Sequence, residues 1–191
     1  MRIVHLADLH LGKRVNDFSM IEDQKFILQE ILKIIKEKTA DCVIIAGDVY
    51  DKTLPGVEAI ALLDDFLLSL SKLKLPILII SGNHDSPERL SFGSALMEKS
   101  LVYISPVYDG FVKKVSLSDE FGEIDFYLLP FIKPATVRPF FPDQEIIDYN
   151  DALKFALSTI EISKDKRNVL IAHQFVTGCE TCDSEEKFVG G

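Results

Sequence analysis

The sequence predicts an α/β fold, a layered α/β/β/α sandwich, and three observations carry that prediction. Four short runs are almost continuously apolar and rich in β-branched residues: Ile3 to Ala7, Cys42 to Ala46, Ile77 to Ile80 and Val169 to Ala172. Such runs mark central parallel strands covered on both faces. Segments with helical periodicity lie between them. From residue 102 to 129 the pattern changes to strands without an intervening helix, which adds a second sheet to what would otherwise be a doubly wound one.

Taken in order, Ser19-Met20-Ile21-Glu22 reads as a capping box. It opens a helix whose Ile27, Leu28, Ile31, Ile34 and Ile35 form one apolar face. After Pro55-Gly56, the residues Ile60, Leu63, Leu67 and Leu70 recur at helical spacing, with further leucines that call for burial on more than one side. Val112-Lys113-Lys114-Val115 and Ile124 to Leu129 read as antiparallel strands of the second sheet. The segment from Pro130 to Pro142 is a proline-punctuated loop. Asn150 is placed to cap a helix carrying Leu153, Ala156, Leu157 and Ile160 at i, i+3, i+4 and i+7. No internal repeat or low-complexity linker divides the 191 residues, so one domain is expected.

Composition narrows the function classes. No apolar run approaches the roughly 18 residues of a membrane span. The N-terminus runs directly into a strand pattern instead of a secretory signal. Three cysteines do not make the even, larger set of a secreted disulfide framework. The expectation is a cytoplasmic protein with no membrane partner. The net charge of −9 weighs against nucleic acid, because phosphate backbones favour basic surfaces. Two bound divalent cations would reverse that balance locally. Small basic clusters, Lys13-Arg14 and Lys113-Lys114, read first as solvated surface.

The chemistry lies just beyond the strands. The first runs into Asp8-Leu9-His10, the second into Gly47-Asp48-Val49-Tyr50-Asp51, the third into Gly82-Asn83-His84-Asp85, and the fourth ends at His173. In open α/β sheets, ligands bind beyond the carboxyl ends of the strands. Three of the four histidines sit at such ends. Oxygen and imidazole donors without thiolates suit Mn²⁺, Mg²⁺, Fe²⁺ or Zn²⁺. Asp8 and His10 share strand parity and can grip one ion, whereas the two oxygens of Asp48 can bridge two. Asn83 offers a neutral ligand, which limits repulsion of a phosphodiester. Alone, each motif also fits a turn or cap after a strand; together, in this order, they point to a metal site. His5 has the opposite parity to Asp8 and reads as a packed, hydrogen-bonded histidine. Cys42 reads as a small buried hydrophobe. Cys179-Glu180-Thr181-Cys182 is a lone C-x-x-C, and Gly190-Gly191 is too short for a phosphate loop.

Asp8-x-His10, Gly47-Asp48-x-x-Asp51, Gly82-Asn83-His84-Asp85 and the strand-end His173 together resemble the calcineurin-like metallophosphoesterase superfamily. The flanks, Asp8-Leu9-His10-Leu11-Gly12, Ala46-Gly47-Asp48-Val49-Tyr50-Asp51 and Gly82-Asn83-His84-Asp85-Ser86, resemble its SbcD-type branch of bacterial DNA double-strand-break nucleases. The resemblance spans essentially the whole chain and implies a metallophosphoesterase sandwich over residues 1–191. It implies a metal-dependent DNA exonuclease or endonuclease of repair, recombination and replication. Two divalent ions are implied, Mn²⁺ first and Mg²⁺, Fe²⁺ or Zn²⁺ as alternatives. Asp8, His10 and Asp48 would hold one ion; Asp48, Asn83 and His173 the other. His84 would act at the scissile phosphate, oriented by Asp51. DNA, an SbcC-type ATPase and a second copy of the chain are the implied partners.

One departure from the pattern is informative. The family completes its site with a downstream Gly-His-x-His, and this chain stops at Gly191 without it, which predicts a sandwich whose C-terminal part is missing. Two other readings stay open: a phosphoesterase acting on nucleotides, cyclic nucleotides or phosphoproteins, and a catalytically incomplete module that only binds or assembles.

Overall fold

Strand β1 (Ile3–Leu6) is followed by a small hairpin, β2 (Arg14–Val15) and β3 (Phe18–Ser19). Helix α1 (Ile21–Glu37), β4 (Cys42–Ala46), α2 (Val57–Ser71) and β5 (Ile77–Ile80) then alternate. Two single-turn helices, α3 (Pro87–Leu90) and α4 (Ser94–Met97), lead to β6 (Val102–Ile104). The hairpin β7 (Lys113–Asp119) and β8 (Gly122–Leu128) precedes α5 (Pro134–Val137), α6 (Tyr149–Ser158) and β9 (Arg167–Ile171). This computed structural model describes residues 1–105 and 107–175; Cys179, Cys182, Gly190 and Gly191 lie outside the described residues.

The first sheet is parallel throughout, in the order β1-β4-β5-β6. The second has the order β7-β8-β9, antiparallel between β7 and β8 and parallel between β8 and β9. Alternation along β4 shows why its run is continuously apolar. Val43 and Ile45 face α1 and α2, packing with Leu28, Ile35, Leu63, Phe66 and Leu70. Cys42, Ile44 and Ala46 face the second sheet and meet Val115, Ile124, Phe126 and Leu128. A third cluster joins Leu129 and Ile132, which follow β8, to Val137 of α5 and Ala152 and Ala156 of α6. The layered α/β sandwich is therefore present, with β4 and β5 at its centre.

Several local expectations are corrected. β1 is an edge strand, and its His5 is exposed instead of packed. Among the described residues β9 is also an edge strand, in the second sheet, and its Leu170 is exposed. β6 extends the first sheet in parallel instead of joining the antiparallel one. Helix α1 starts after Met20 with no side-chain cap. In α6 the capping box is made by Asp148 and Asp151, not by Asn150: each accepts a backbone N–H from the other's end of the turn. Ile27, Ile34, Ile60 and Leu157 are exposed, so the apolar faces of these helices are narrower than the periodicity implied. Among the described residues, no helix is long and apolar enough to cross a membrane.

One ionic cluster ties the two sheets at their edge. The carboxylate of Asp119, at the end of β7, accepts from the N-terminal ammonium at 2.5 Å and from both terminal nitrogens of Arg167, at 3.0 and 2.5 Å. The Arg167 hydrogen bonds first, then that of the N-terminus, hold the Asp119 carboxyl well below the usual carboxylate range. A depressed folded-state pKa stabilises the fold above the unfolded value, about 3.9, and that stability is lost as pH falls through the folded one. Thermal melts should therefore place Asp119→Asn below the wild type at pH 7, with the gap narrowing below about pH 4. Phe126, fully buried between the sheets, should cost ~3–5 kcal/mol in urea titrations when replaced by alanine.

Candidate metal centre

Three backbone hydrogen bonds lay the loop after β1 along the loop after β4: Asp8 N–H to Gly47 O at 3.2 Å, His10 N–H to Asp48 O at 2.9 Å, and Leu11 N–H to Val49 O at 2.9 Å. Both loops leave their strands through left-handed conformations, with φ of 55° at Asp8, 42° at His10 and 47° at Asp48. Side chains rarely adopt such values without surrounding structure to hold them. Two glycines permit close approach. A Cβ on Gly47 would strike the His173 imidazole, and one on Gly82 would strike the backbone nitrogen and carboxylate of Asp48.

The buried Asp48 carboxylate is the point on which the side chains converge. His10 Nε2 lies 3.7 Å from its Oδ2, His173 Nε2 at 3.5 Å and His84 Nε2 at 3.9 Å. Its Oδ1 accepts the His84 backbone N–H at 2.9 Å. Asp8 Oδ1 lies 3.8 Å from His10 Nε2. Two groups of donors capable of holding an ion result: His10, Asp48 and His84, and Asp8, Asp48 and His173. Asp48 belongs to both, but the partition differs from the one the resemblance implied, with Asp8 on the His173 side and His84 beside His10. Asn83 is exposed and lines, with His84, Lys52, Thr53 and Leu54, an open cavity of about 610 Å³.

Electrostatics and tautomers agree with a cation site. Burial pushes the Asp48 carboxyl up, but the His173 hydrogen bond, the His84 N–H and the charges of both rings prevail and hold it low. Burial pushes His173 down, whereas its bonds to Asp48 and to the Ala46 carbonyl raise it on balance. The His173 Nδ1–H donates to Ala46 O at 2.7 Å, which directs Nε2 at Asp48. Ligating histidines characteristically donate their second ring N–H in this way. A cation bound between His173 Nε2 and Asp48 would compete with a proton on the imidazole. His10 Nδ1 is buried without a hydrogen-bond partner, and the Asp51 carboxylate stands 3.8 Å away. These nitrogen and oxygen donors, with no thiolate among them, fit a hard or borderline divalent ion.

His84 is oriented by the main chain. Its Nδ1 lies 3.0 Å from the carbonyl oxygen of Asp51, while the Asp51 carboxylate turns towards His10. The two rings, His10 and His84, pack edge to face with centroids 4.9 Å apart.

Sequence reasoning gave no role to two supporting residues, Asp85 of the strand-end motif and Gln24. Asp85 is buried, and its carboxylate accepts three backbone N–H groups: Val49 at 3.1 Å, Tyr50 at 2.9 Å and Gly82 at 2.8 Å. It staples the loop after β4 to the loop after β5. Burial raises its carboxyl, the three N–H groups oppose that, and the Asp48 charge adds to the rise. Gln24 holds the loop after β1 from helix α1. The available signal was a polar residue at i+3 from Ile21 and i−4 from Leu28, on the apolar stripe of α1.

Comparison with known proteins places the chain in a family. The Calcineurin-like phosphoesterase family profile matches residues 1–188. The SbcD component of the SbcCD nuclease of Staphylococcus epidermidis (strain ATCC 12228 / FDA PCI 1200) is 39% identical over 194 aligned positions, which cover 100% of this chain and 51% of that protein. The chain thus spans about half the length of this curated relative. Members of such families bind divalent metals, and the chain belongs to the calcineurin-like phosphoesterase family.

Proposed function

We propose that the chain is the nuclease unit of an SbcD-like, metal-dependent phosphodiesterase that cleaves DNA in repair and recombination, with residues 1–191 in one phosphoesterase domain. The carrying observation is the meeting of Asp8, His10, Asp48 and His173 from three strand ends, with Asp48 common to two groups of donors. The relative's name, that of one component of a nuclease, supports the substrate class and a partner protein, here an SbcC-type ATPase.

Asp8, His10 and Asp48 would hold one divalent ion and Asp48, Asn83 and His173 a second, with Mn²⁺ the first candidate; Asp8 stands near both His10 and His173, so binding would need only to draw it to the His10 side. Two such ions supply Lewis acidity and an activated water for in-line displacement at phosphorus. The protein's own groups do the rest. Asp48 anchors both ligand groups, and the Ala46 carbonyl keeps the His173 tautomer that presents Nε2. The Asp51 carbonyl likewise fixes Nδ1–H on His84, leaving Nε2 on the side of Asp48, 3.9 Å from its Oδ2, with the ring at the rim of the open cavity. From there His84 stabilises charge on the phosphate and protonates the leaving oxygen. The neutral amide of Asn83 limits the negative charge that a phosphodiester meets.

A second copy of the chain is the partner that the exposed side chains Leu54, Val57, Ile60, Phe92 and Leu96, around the start of α2 and the α3–α4 segment, are suited to cover. Light scattering after gel filtration should give a dimer mass for the wild type and a monomer mass for the double variant Val57→Ser with Phe92→Ser.

The decisive assay follows Mn²⁺-dependent cleavage of linear duplex DNA beside bis-p-nitrophenyl phosphate and 2′,3′-cyclic nucleotides, with Mn²⁺ binding measured by calorimetry. Wild type should bind two ions and cleave DNA, and chelation should abolish cleavage. Asp48→Asn should lose Mn²⁺ binding and about 10³-fold or more in kcat. An Asp48→Asn protein with full activity would refute the two-metal reading. His84→Ala should keep Mn²⁺ binding and lose about 10²–10⁴-fold in kcat.

A further inference from the structure

Helix α1 contributes no ligand to the centre, yet one of its side chains reaches it. Gln24 is partly buried at the start of α1, and its amide makes three hydrogen bonds to the loop that carries His10. Oε1 accepts the Gly12 N–H at 2.9 Å. Nε2 donates to the carbonyl oxygens of His10 at 2.7 Å and Leu9 at 3.2 Å. Only this orientation of the amide matches one donor and two acceptors. The loop needs such support, because Asp8 and His10 both hold positive φ values of 55° and 42°. From the other side it is held by the backbone bonds to Gly47, Asp48 and Val49. The peptides around His10 are thus clamped between the loop after β4 and the Gln24 side chain.

We infer that Gln24 is a positioning residue of the metal centre: it sets the backbone from which His10 projects, and so tunes divalent-ion affinity without touching an ion or the substrate. This inference rests on the proposed metal-dependent reading. A leucine or methionine at position 24 would serve α1 about equally as a helix former, so helix propensity does not call for the amide. The amide is therefore explained by what it holds. Supporting partners of metal ligands typically change affinity by about 10–100-fold when removed.

The test measures Mn²⁺ affinity by calorimetry, melting temperature, and hydrolysis of bis-p-nitrophenyl phosphate as a function of Mn²⁺. Gln24→Met removes all three hydrogen bonds. Gln24→Glu keeps the acceptor for Gly12 but sets a carboxylate against two carbonyl oxygens, and serves if the methionine variant fails to fold. Gln29→Met, on the exposed part of the same helix, controls for removal of an amide. Gln24→Met and Gln24→Glu should weaken Mn²⁺ binding about tenfold or more, and saturating Mn²⁺ should restore most of kcat. Gln29→Met should behave as wild type. A folded Gln24 variant that binds Mn²⁺ as tightly as wild type, whether or not its melting temperature falls, overturns the inference and leaves the metal reading intact. A wild type that binds no Mn²⁺ overturns the metal reading first, and this inference with it.

Discussion

The buried carboxylate of Asp85, with three backbone N–H groups converging on it, is the constraint on which the centre depends. It joins the loop after β4 to the loop after β5 at the point where Asp48 must enter from one and His84 from the other. An ionised group in that position is unfavourable on its own, and burial raises its pKa accordingly. Three oriented N–H donors offset much of that cost, while they would themselves be unsatisfied without it. The interaction is mutual: the carboxylate is tolerable because the loops meet, and the loops meet because it is there.

Around that staple, each candidate ligand has its own support. Gln24 holds the backbone beside His10, the Ala46 carbonyl turns His173, and the Asp51 carbonyl turns His84. Gly47 and Gly82 leave the space in which His173 and Asp48 lie against the backbone. Few of these contacts involve two side chains. Most set a side chain against a peptide group, so the accuracy of the centre derives from how the strand-end loops pack on one another. On the inner side the site rests on the buried parallel strands β4 and β5. Towards Asn83 and His84, where the proposed phosphodiester would enter, it opens to solvent.

The acidic chain and a nucleic-acid substrate are compatible on this geometry. A formal charge of −9 is spread over the molecule, whereas two divalent ions would concentrate four positive charges beside His84. The local field at the point of cleavage, not the total charge, governs attraction of the scissile phosphate at distances shorter than the Debye length.

The sequence by itself determined the class of fold and the identities of the converging groups. Buried parallel strands such as β4 and β5 need apolar residues on both faces, and the polar residues directly after them, Asp48 and Asn83-His84, can only emerge at the strand ends. Asp8, His10 and His173 were legible for the same reason. Tertiary structure alone decided which faces were covered, so among the described residues β1 and β9 proved to be edge strands although their composition matched the central ones. It also decided how donors were grouped, placing Asp8 with His173 and turning the Asp51 carboxylate towards His10. Gln24 and Asp85 acquired their roles only in the fold. Their partners are backbone groups, which every residue carries, so composition and spacing leave no record of which peptide a side chain will hold.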